Sequence, residues 1–437
     1  MIPIVPIKIQ HSFCAAKWLM VTMHFGMGEN HSCYHPPIHR WKPEEVAANP
    51  DALHNTQHKI NQRAKMLAGE RPGECSYCWN IEDIDSTVVS DRKRFTNESW
   101  AIERREEIIN NPPGTFVGPA YLEISFASTC NFACSYCSPG QSSTWENDVR
   151  KYGSYPVVDQ TVHQDKMHDM ILEDNNPYID AFWKWLPIIY KDLRYLRITG
   201  GEPLATRNFM KLLDYVAANE NKNMTLAINT NLCVPEKNLL AFFTKATAIQ
   251  EANTIKNIEV YTSMDTWGPQ AEYIRDGLDI ARWESTVRRV WDKFKTPIKI
   301  MVTFGIMSIF NFSTFVEKVF ALRAEGIDIM FNCARLVDPK QFDIRLLPDD
   351  CDKYFHNVNE IMTTSDKVYD VEKETWNMVY QFRMSRKESM PENDMKFLRD
   401  QFYKFINEYD KRRGKDFTAT FPELTLQDFK NDWFNEV

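Results

Sequence analysis

The sequence lacks the features that would place it in a membrane, secreted or nucleic-acid-binding class. No apolar run reaches the roughly 18 residues of a membrane-spanning helix, and the first residues carry no basic segment ahead of a long apolar one. Positive charge is in deficit, with 52 Lys and Arg against 60 Asp and Glu and a net charge of −8. This deficit argues against bulk electrostatic binding of nucleic acid or anionic membrane. We therefore expect a soluble, cytoplasmic protein.

Internal repeats, low-complexity tracts, a catalytic triad and a phosphate-binding loop are also missing from the pattern. The chain does have 437 residues, of which 43% are hydrophobic and 13% aromatic. At about 150 residues per domain, this length suggests two or three domains with a sizeable core. The composition excludes a disordered, a collagen-like or a minimal disulfide-stapled protein.

Composition divides the chain into four segments. Residues 1–105 are rich in His, Pro and Cys, contain a predicted helix over 51–67, and are expected to form a small cysteine-rich module. Residues 106–119 form a linker, in which two prolines followed by glycine end helices and resist strand pairing. A barrel domain is predicted over 120–340, and a mostly helical extension over 341–437.

Strand and helix signals alternate across the predicted barrel domain. Short β-rich runs are separated by amphipathic helical patterns, which indicates a parallel sheet covered by helices. The predicted strands are 122–126, 195–199, 224–229, 258–262, 298–304 and 327–331. Six such units predict an α/β fold with a partial (β/α)6 barrel like a TIM barrel, in which chemistry lies at the C-terminal ends of the strands.

Three of the ten cysteines come directly after the first predicted strand. Cys130, Cys134 and Cys137 are spaced at i, i+4 and i+7 in a polar segment, so that three thiolates can converge on one centre. A four-iron cluster takes four ligands, and three protein thiolates would leave one iron open. Spacing alone leaves two alternatives, a zinc site short of one ligand and three incidental buried cysteines.

A second segment, with the sequence TGGEP, ends the next predicted strand. Gly200 and Gly201 would let a ligand approach the backbone, and Glu202 offers an acceptor for an ammonium group. The glycine pair taken alone is equally compatible with an ordinary turn.

The two segments together resemble the radical S-adenosylmethionine (SAM) superfamily, whose C-x3-C-x2-C loop has an aromatic residue before its last cysteine, here Tyr136. The resemblance covers roughly residues 120–337. It implies a [4Fe-4S] cluster on the three cysteines, whose open iron chelates the amino and carboxylate groups of SAM, while residues 200–203 hold the methionine amino group. One electron would then cleave SAM into methionine and a 5′-deoxyadenosyl radical, which abstracts hydrogen from the substrate.

The same resemblance implies further SAM contacts. Ser263 and Asp265, at the end of the fourth predicted strand, resemble the ribose or carboxylate contact, and Arg275 resembles an arginine that pairs with the SAM carboxylate. Asn229 ends the third predicted strand and could line the pocket. A solvated helix charge is an equal alternative for Arg275, and a turn residue for Asn229.

Four other cysteines form a second set. Cys14, Gly28 and Cys33 follow the pattern C-x13-G-x4-C, and Cys75 and Cys78 form a C-x2-C pair. Four sulfurs suit either zinc or a four-iron cluster, and spacing does not decide between the two metals. The pattern resembles the twitch and SPASM modules of other radical SAM enzymes, which implies one auxiliary [4Fe-4S] cluster. Those modules usually follow the barrel, whereas these cysteines precede it.

The remaining cysteines are isolated in the sequence. Cys333 follows an apolar run and is predicted to be a small buried hydrophobe, as thiols outside metal sites usually are. Cys233 is a minor candidate for the pocket because it closely follows the third predicted strand, and Cys351 has no predicted role. His35 is a weaker alternative ligand for the second cysteine set.

The sequence therefore predicts a two-cluster radical SAM enzyme that oxidises its substrate, with the auxiliary cluster taking the second electron. A peptide or protein side chain is the first expected substrate, and a sugar or other small metabolite, dehydrogenated or epimerised, is the second. Flavodoxin or ferredoxin is the expected electron donor, and no membrane or nucleic-acid partner is expected. A zinc-holding scaffold with an inactive barrel is the alternative of another class.

Overall fold

The structure is a computed structural model that describes residues 9–85, 87–158, 173–386 and 390–430. Residues 1–8 of the predicted module and 431–437 of the predicted extension lie outside this part of the chain. The chain divides into two compact units, each made of three sequence segments. Unit 1 consists of Met1–Ala127, Asp169–Ile228 and Ala248–Ile258, and unit 2 consists of Ser128–His168, Asn229–Thr247 and Glu259–Val437. The boundaries of the four predicted segments stay predictions.

The described residues contain eleven β-strands. In chain order they are β1 (Met20–His24), β2 (Glu29–His31), β3 (His39–Arg40), β4 (Tyr121–Ser125), β5 (Ala133–Cys134), β6 (Tyr195–Thr199), β7 (Asn221–Thr230), β8 (Ile255–Ser263), β9 (Arg275–Asp276), β10 (Ile298–Phe304) and β11 (Ile329–Arg335).

The described residues also contain eighteen α-helices. In chain order they are α1 (Ala16–Leu19), α2 (Pro43–Ala48), α3 (Gln57–Leu67), α4 (Ser76–Ile84), α5 (Asp91–Thr96), α6 (Ser99–Glu103), α7 (Arg105–Asn110), α8 (Ser143–Tyr152), α9 (Pro177–Ile189), α10 (Arg207–Ala218), α11 (Glu236–Ala252), α12 (Gly268–Ile274), α13 (Ile280–Phe294), α14 (Phe312–Ala324), α15 (Asp352–Thr364), α16 (Asp370–Met384), α17 (Glu392–Arg413) and α18 (Phe417–Thr420). No described helix has the length and apolar character needed to cross a membrane.

Both units contain mostly parallel strands. In unit 1 the strand order is β3-β2-β1-β4-β6-β7, in which β1, β4, β6 and β7 run parallel and β2 and β3 form an antiparallel edge. In unit 2, β8, β10 and β11 are parallel neighbours, and β5 and β9 form a separate two-stranded antiparallel ribbon. This mixed α/β architecture fits a TIM-like fold.

The central strands of unit 1 have one apolar and one polar face. Leu122 pairs with Leu196, and Ile124 with Ile198, and all four side chains are buried. Side chains alternate between the two faces of a strand, so the residues in between point to the opposite face. On that face Glu123 of β4 pairs in register with Arg197 of β6. Polar groups therefore line the second face of this sheet.

All six predicted strands are present, but the sheet also contains a strand that was not predicted. The predictions for β6 and β10 are confirmed to the residue, whereas β11 begins two residues later than expected. The additional strand is β1, which precedes the predicted barrel domain in the sequence and pairs in parallel with β4. The first four residues of β1 are buried, and a short strand covered on both faces gives no alternating signal.

The helix predicted over 51–67 is shorter than expected. It begins at Gln57, because the hydroxyl of Thr56 caps it by accepting a hydrogen bond from the backbone N–H of Lys59 at 3.2 Å. Residues Pro50–Leu53 form a separate 3₁₀ turn, whose start is capped by the side chain of Asn49. The chain thus changes direction between the two elements.

The C-terminal region is helical, with α15, α16 and α17 as its long elements. On α17 the side chains of Phe402, Phe405, Ile406 and Tyr409 are buried, as the apolar spacing indicated. Gly326 follows α14 with a φ of +87°, the left-handed conformation that glycine adopts most readily at the end of a helix.

Candidate active site and cysteine cavity

The cysteine loop of unit 2 is built around the short strand β5. Cys134 lies in β5 opposite Arg275 of β9, and is buried. Cys130 and Cys137 are half-buried on either side of it. The backbone N–H of Cys137 donates to the carbonyl of Cys134 at 2.9 Å, which closes a tight turn between the last two thiols. All three are free thiols.

The start of helix α8 holds this loop in place. The hydroxyl of Thr144 donates to the carbonyl of Cys130 at 2.7 Å, and the hydroxyl of Ser142 donates to the carbonyl of Phe132 at 2.6 Å. The indole N–H of Trp145 donates to the carbonyl of Cys134 at 2.8 Å. With their backbone groups satisfied in this way, the thiols are positioned by the loop rather than by pairing with one another.

A buried ion pair lies directly against Cys134. The guanidinium Nη2 of Arg275 donates to Oδ1 of Asp265 at 2.8 Å, and its Nη1 lies 3.8 Å from Sγ of Cys134. The hydroxyl of Tyr136 donates to the other oxygen of Asp265 at 2.9 Å, and the backbone N–H of Thr303 donates to Oδ1 at 2.8 Å. The structure thus brings together four residues that the sequence predicted separately.

Electrostatics at this pair oppose the effect of burial. Burial alone would lower the pKa of Arg275, but the charge and hydrogen bond of Asp265 together with Tyr136 and Cys134 outweigh burial, and the pKa is raised above its ordinary value. Burial raises the pKa of the Cys134 and Cys137 thiols, against the charge of Arg275. A bound metal ion deprotonates such thiols, so these cysteines suit either a metal site or a neutral buried role.

The predicted SAM-contact roles of Asp265 and Arg275 stay predictions. In the structure the guanidinium of Arg275 and the carboxylate of Asp265 bind each other. One atom of the pair is still available, since Nε of Arg275 is buried and has no hydrogen-bond partner in the described chain. Ser263 is the last residue of β8, and Asn229 lies next to the end of β7; both are half-buried. Their predicted roles also stay predictions.

Replacing Arg275 by methionine is expected to destabilise unit 2 by roughly 3–5 kcal/mol, because it leaves the fully buried carboxylate of Asp265 without its counter-charge. The measurement is the midpoint of urea unfolding. Arg288→Met is the matched control, because Arg288 forms exposed ion pairs with Glu284 and Glu325 and should cost less than about 1 kcal/mol. Equal losses of stability in the two variants would show that the buried ion pair contributes no more to stability than an exposed one.

An asparagine in the cysteine loop was missed by the sequence analysis. Asn131 donates from Nδ2 to the carbonyl of Cys233 at 3.1 Å and accepts from Nδ2 of Asn231 at 2.9 Å. Asn231 in turn accepts from the backbone N–H of Cys233 at 2.8 Å. These bonds join the loop after β7 to the cysteine loop. No sequence signal indicated them, because Asn131 and Asn231 are 100 positions apart.

In unit 1, the predicted glycine segment packs against the residues that lead into the cysteine loop. Gly200 has a φ of +116°, and a Cβ there would lie 2.6 Å from Oγ of Ser125 and 3.0 Å from the carbonyl oxygen of Ala127. Only glycine fits this conformation and this approach. The backbone N–H of Gly201 donates to the same carbonyl at 3.2 Å. The carboxylate of Glu202 accepts from the N–H of Leu204 at 3.0 Å and is buried.

The four N-terminal cysteines line one cavity in unit 1. The empty space is about 310 Å³, part of it open to solvent. The lining residues are Cys14, Cys33, Cys75 and Cys78, with His35, Pro36, Trp79, Asp91, Arg92 and Phe95. The structure therefore brings together both halves of the second cysteine set, which are more than 40 positions apart in the sequence, and all four residues are free thiols.

Several polar side chains support the wall of this cavity. Arg92 donates from Nε to Glu82 at 3.0 Å and from Nη1 to the carbonyl of Phe13 at 2.8 Å, next to Cys14. His35, the weaker predicted ligand, has its Nε2 2.6 Å from a carboxylate oxygen of Asp91. His35 lines the cavity, and its role as an alternative ligand stays a prediction.

Burial dominates the protonation of the four cavity thiols. It raises the pKa of Cys14, Cys33 and Cys78, and that of Cys75 to about 11. The nearby ammonium of Lys17 acts in the opposite direction on Cys14, Cys33 and Cys75. Three buried thiols and the half-buried thiol of Cys33 around one cavity, with a cation beside them, are the donor set expected of a site for a thiolate-bound metal centre.

The spacing of the thiols bears on which metal fits. Within the described ranges, the one trio of candidate ligand atoms that all lie within 4.8 Å of one another is His39, His58 and Glu74. A tetrahedral zinc ion with Zn–S bonds of about 2.3 Å would hold its sulfurs about 3.8 Å apart. No three of the described cysteine sulfurs all lie within 4.8 Å of one another, so neither cysteine set is arranged around a single zinc ion.

The isolated cysteines lie outside both groups. Cys333 on β11 and Cys351 are each 3% exposed, so the prediction that Cys333 is a small buried residue is confirmed. Cys233 is buried, and its thiol lies 3.5 Å from the carbonyl oxygen of Asp279.

Comparison with known proteins gives a partial match. No protein-family model matches the chain. The chain is 24% identical over 218 residues to a GTP 3′,8-cyclase of Sulfurimonas denitrificans, a match that covers 48% of this chain and 54% of that protein. It is 27% identical over 116 residues to a GTP 3′,8-cyclase of Geobacter sulfurreducens, covering 26% of this chain and 28% of that protein.

The chain thus spans about half or less of the curated relatives it matches. These similarities support the radical SAM superfamily, which the cysteine loop and the glycine segment resemble, and therefore support an enzyme that uses SAM and an iron-sulfur cluster. These partial similarities do not identify a particular substrate for this chain.

Proposed function

We propose that the chain is a cytoplasmic radical SAM enzyme with two [4Fe-4S] clusters, which oxidises its substrate. Cys130, Cys134 and Cys137 would hold the cluster that binds SAM, and the four cavity cysteines would hold the auxiliary cluster. When bound, these groups would supply a 5′-deoxyadenosyl radical that takes one hydrogen atom from the substrate and an auxiliary cluster that takes the second electron, while a proton leaves.

The cavity that collects Cys14, Cys33, Cys75 and Cys78 carries this proposal. Its four free thiols match the number of ligands that a fully protein-bound four-iron cluster takes. No three of these thiols all lie within 4.8 Å of one another, so they are not arranged around a single zinc ion. The buried amino group of Lys59, which has no hydrogen-bond partner in the described chain, would supply positive charge near an anionic centre.

The residues of the cysteine loop support the SAM site. The unpartnered Nε of buried Arg275 is a donor that the carboxylate of SAM could accept from. Tyr136 and Asp265 hold the guanidinium in place from the other side. Gly200 is exposed and Gly201 is half-buried, so a ligand could approach their backbone.

A tyrosine links the auxiliary cysteines to the polar face of the sheet. Tyr34, which follows Cys33 directly, donates to Oε2 of Glu123 at 2.6 Å, and the hydroxyl of Tyr121 donates to the same oxygen at 2.9 Å. Arg197 lies 4.0 Å from that carboxylate. A substrate on this face would therefore lie near the cysteine cavity, as electron transfer to an auxiliary cluster requires.

A peptide or protein side chain is the proposed substrate, by analogy with enzymes that carry twitch or SPASM modules. GTP is the second candidate, because the curated relatives are GTP 3′,8-cyclases. A sugar or other small metabolite, dehydrogenated or epimerised, is the third. A flavodoxin or ferredoxin is the proposed electron donor.

Anaerobic purification tests the proposed function. We expect a brown protein with about eight irons per chain, which releases 5′-deoxyadenosine when SAM and dithionite are added. Incubation with GTP, followed by chromatography for its consumption, separates the nucleotide from the peptide candidate. For peptides, mass spectrometry of material that co-purifies with the chain would show the loss of two hydrogen atoms after turnover. A colourless, zinc-loaded protein that releases no 5′-deoxyadenosine would favour the scaffold instead.

A further inference from the structure

Helix α3 carries a buried lysine with an unpartnered ammonium group. Lys59 is 0% exposed, and its Nζ has no hydrogen-bond partner in the described chain. Burial, with the charges of Arg63 and Lys17 nearby, holds the pKa of Lys59 well below its ordinary value. A buried ammonium is costly unless an anion lies close to it. The negative charges of Glu74 and of a thiolate at Cys33 act in the opposite direction on this pKa, so an anionic centre nearby would keep Lys59 charged and would itself be stabilised.

The helix that carries Lys59 is tied to both halves of the cysteine cavity. Nε of Arg63 donates to the carbonyl of Lys17, in the short helix that follows the first cysteine, at 3.0 Å. At the other end of α3, Nε2 of His58 lies 2.6 Å from a carboxylate oxygen of Glu74, which directly precedes Cys75. Lys59 lies between these two connections on the buried side of the helix.

A second buried lysine lies beside the same thiols, but its charge is already balanced. Lys17 is 2% exposed and forms an ion pair with Glu74. The charges of Lys17 and Lys59 both interact favourably with a thiolate at Cys33. Of these two lysines, Lys17 is offset by Glu74, whereas Lys59 has no ion-pair or hydrogen-bond partner among the described side chains.

We propose that Lys59, assisted by Lys17, sets the potential of the auxiliary cluster so that it accepts an electron from the substrate. This inference rests on the proposed function. A four-iron cluster with four thiolates is an anion, and reduction adds one more negative charge, so a buried ammonium nearby favours the reduced form. Lys59 acts through the cluster and is a positioning residue rather than a catalytic one.

The test is an EPR-monitored redox titration of the full-length chain. The background variant replaces Cys130, Cys134 and Cys137 by alanine, so that the auxiliary cluster is the one observed. Adding Lys59→Met is expected to lower the midpoint potential, with at least a tenfold fall in the equilibrium constant for reduction, which is about 59 mV for a one-electron couple.

Two further variants in the same background separate charge from structure. Glu74→Gln removes a negative charge beside Lys17 and is expected to raise the potential. Lys65→Met removes a lysine from the exposed side of the same helix and is expected to leave the potential unchanged.

The outcomes distinguish a failure of the role inferred for Lys59 from a failure of the proposed function on which that role rests. An unchanged potential in Lys59→Met, with about four irons still bound, overturns the role of Lys59 and leaves the proposed function intact. A background variant that binds no iron contradicts the auxiliary cluster itself. If Lys59→Met assembles no cluster, Glu74→Gln decides, and an unchanged potential in that variant overturns the inference.

Discussion

Cys134→Ala is expected to reduce 5′-deoxyadenosine release to background when SAM and dithionite are supplied. Cys134 is the middle thiol of the loop, and its backbone is held by the indole of Trp145 and by the pairing of β5 with β9. Alanine therefore removes a thiolate while the loop keeps its backbone contacts. A cluster left with two protein ligands should be lost, so the iron content should fall from about eight to about four per chain.

Cys333→Ala is the matched control for this variant. Cys333 is also buried and free, but it lies on β11 outside both cysteine sets. The control should keep about eight irons and full release of 5′-deoxyadenosine. The assignment of the loop is wrong if Cys134→Ala matches its parent in both measurements, or if Cys333→Ala loses iron to the same extent.

The sequence predicts best those features that depend on local pattern. β6 and β10 alternate buried apolar residues with half-buried residues over their whole length, and both are predicted to the residue. The three thiols of the cysteine loop lie within eight residues, so chain connectivity alone places them on one loop. Glycine is common wherever a backbone is closely approached, so the residue type alone indicates the close approach found at Gly200.

Features set by contacts between distant segments could not be predicted in this way. β1 has no alternating pattern because it is covered on both faces, so its place beside β4 depends on the sheet as a whole. The pairing of Arg275 with Asp265 depends on the two-residue strands β5 and β9, which are too short to give a periodic signal. In the sequence, Arg275 and Asp265 are two separate candidate ligands, whereas in the structure they form an ion pair.

The cysteine cavity combines a feature that the sequence predicts with one that depends on contacts between distant segments. Its four thiols were grouped correctly as one set from their spacing and a family resemblance, and the structure brings them to one cavity. Lys59 gave no signal, because a lysine in an amphipathic helix usually faces solvent. Its burial follows from the packing of α3 against the segment that carries Lys17, which no local pattern encodes.

Cys75→Ala is expected to separate SAM cleavage from substrate oxidation. Cys75 lines the cavity of unit 1, whereas the cysteine loop belongs to unit 2, so removing Cys75 should leave the loop cluster in place. We expect about four irons instead of about eight, continued release of 5′-deoxyadenosine, and loss of oxidised product, because the second electron has no acceptor. Iron analysis, chromatography of 5′-deoxyadenosine and mass spectrometry of the substrate measure the three quantities.

Cys351→Ala provides a control with the same local structure. Cys75 and Cys351 each end a 3₁₀ turn that leads directly into a helix, and both are buried, but Cys351 lies outside the cavity. Any effect of losing a thiol at such a turn should therefore appear in both variants. If Cys75→Ala keeps about eight irons, Cys75 is not a cluster ligand. If it forms product at the parent rate with four irons, the auxiliary cluster is not the electron acceptor, and the oxidation we propose must use another one.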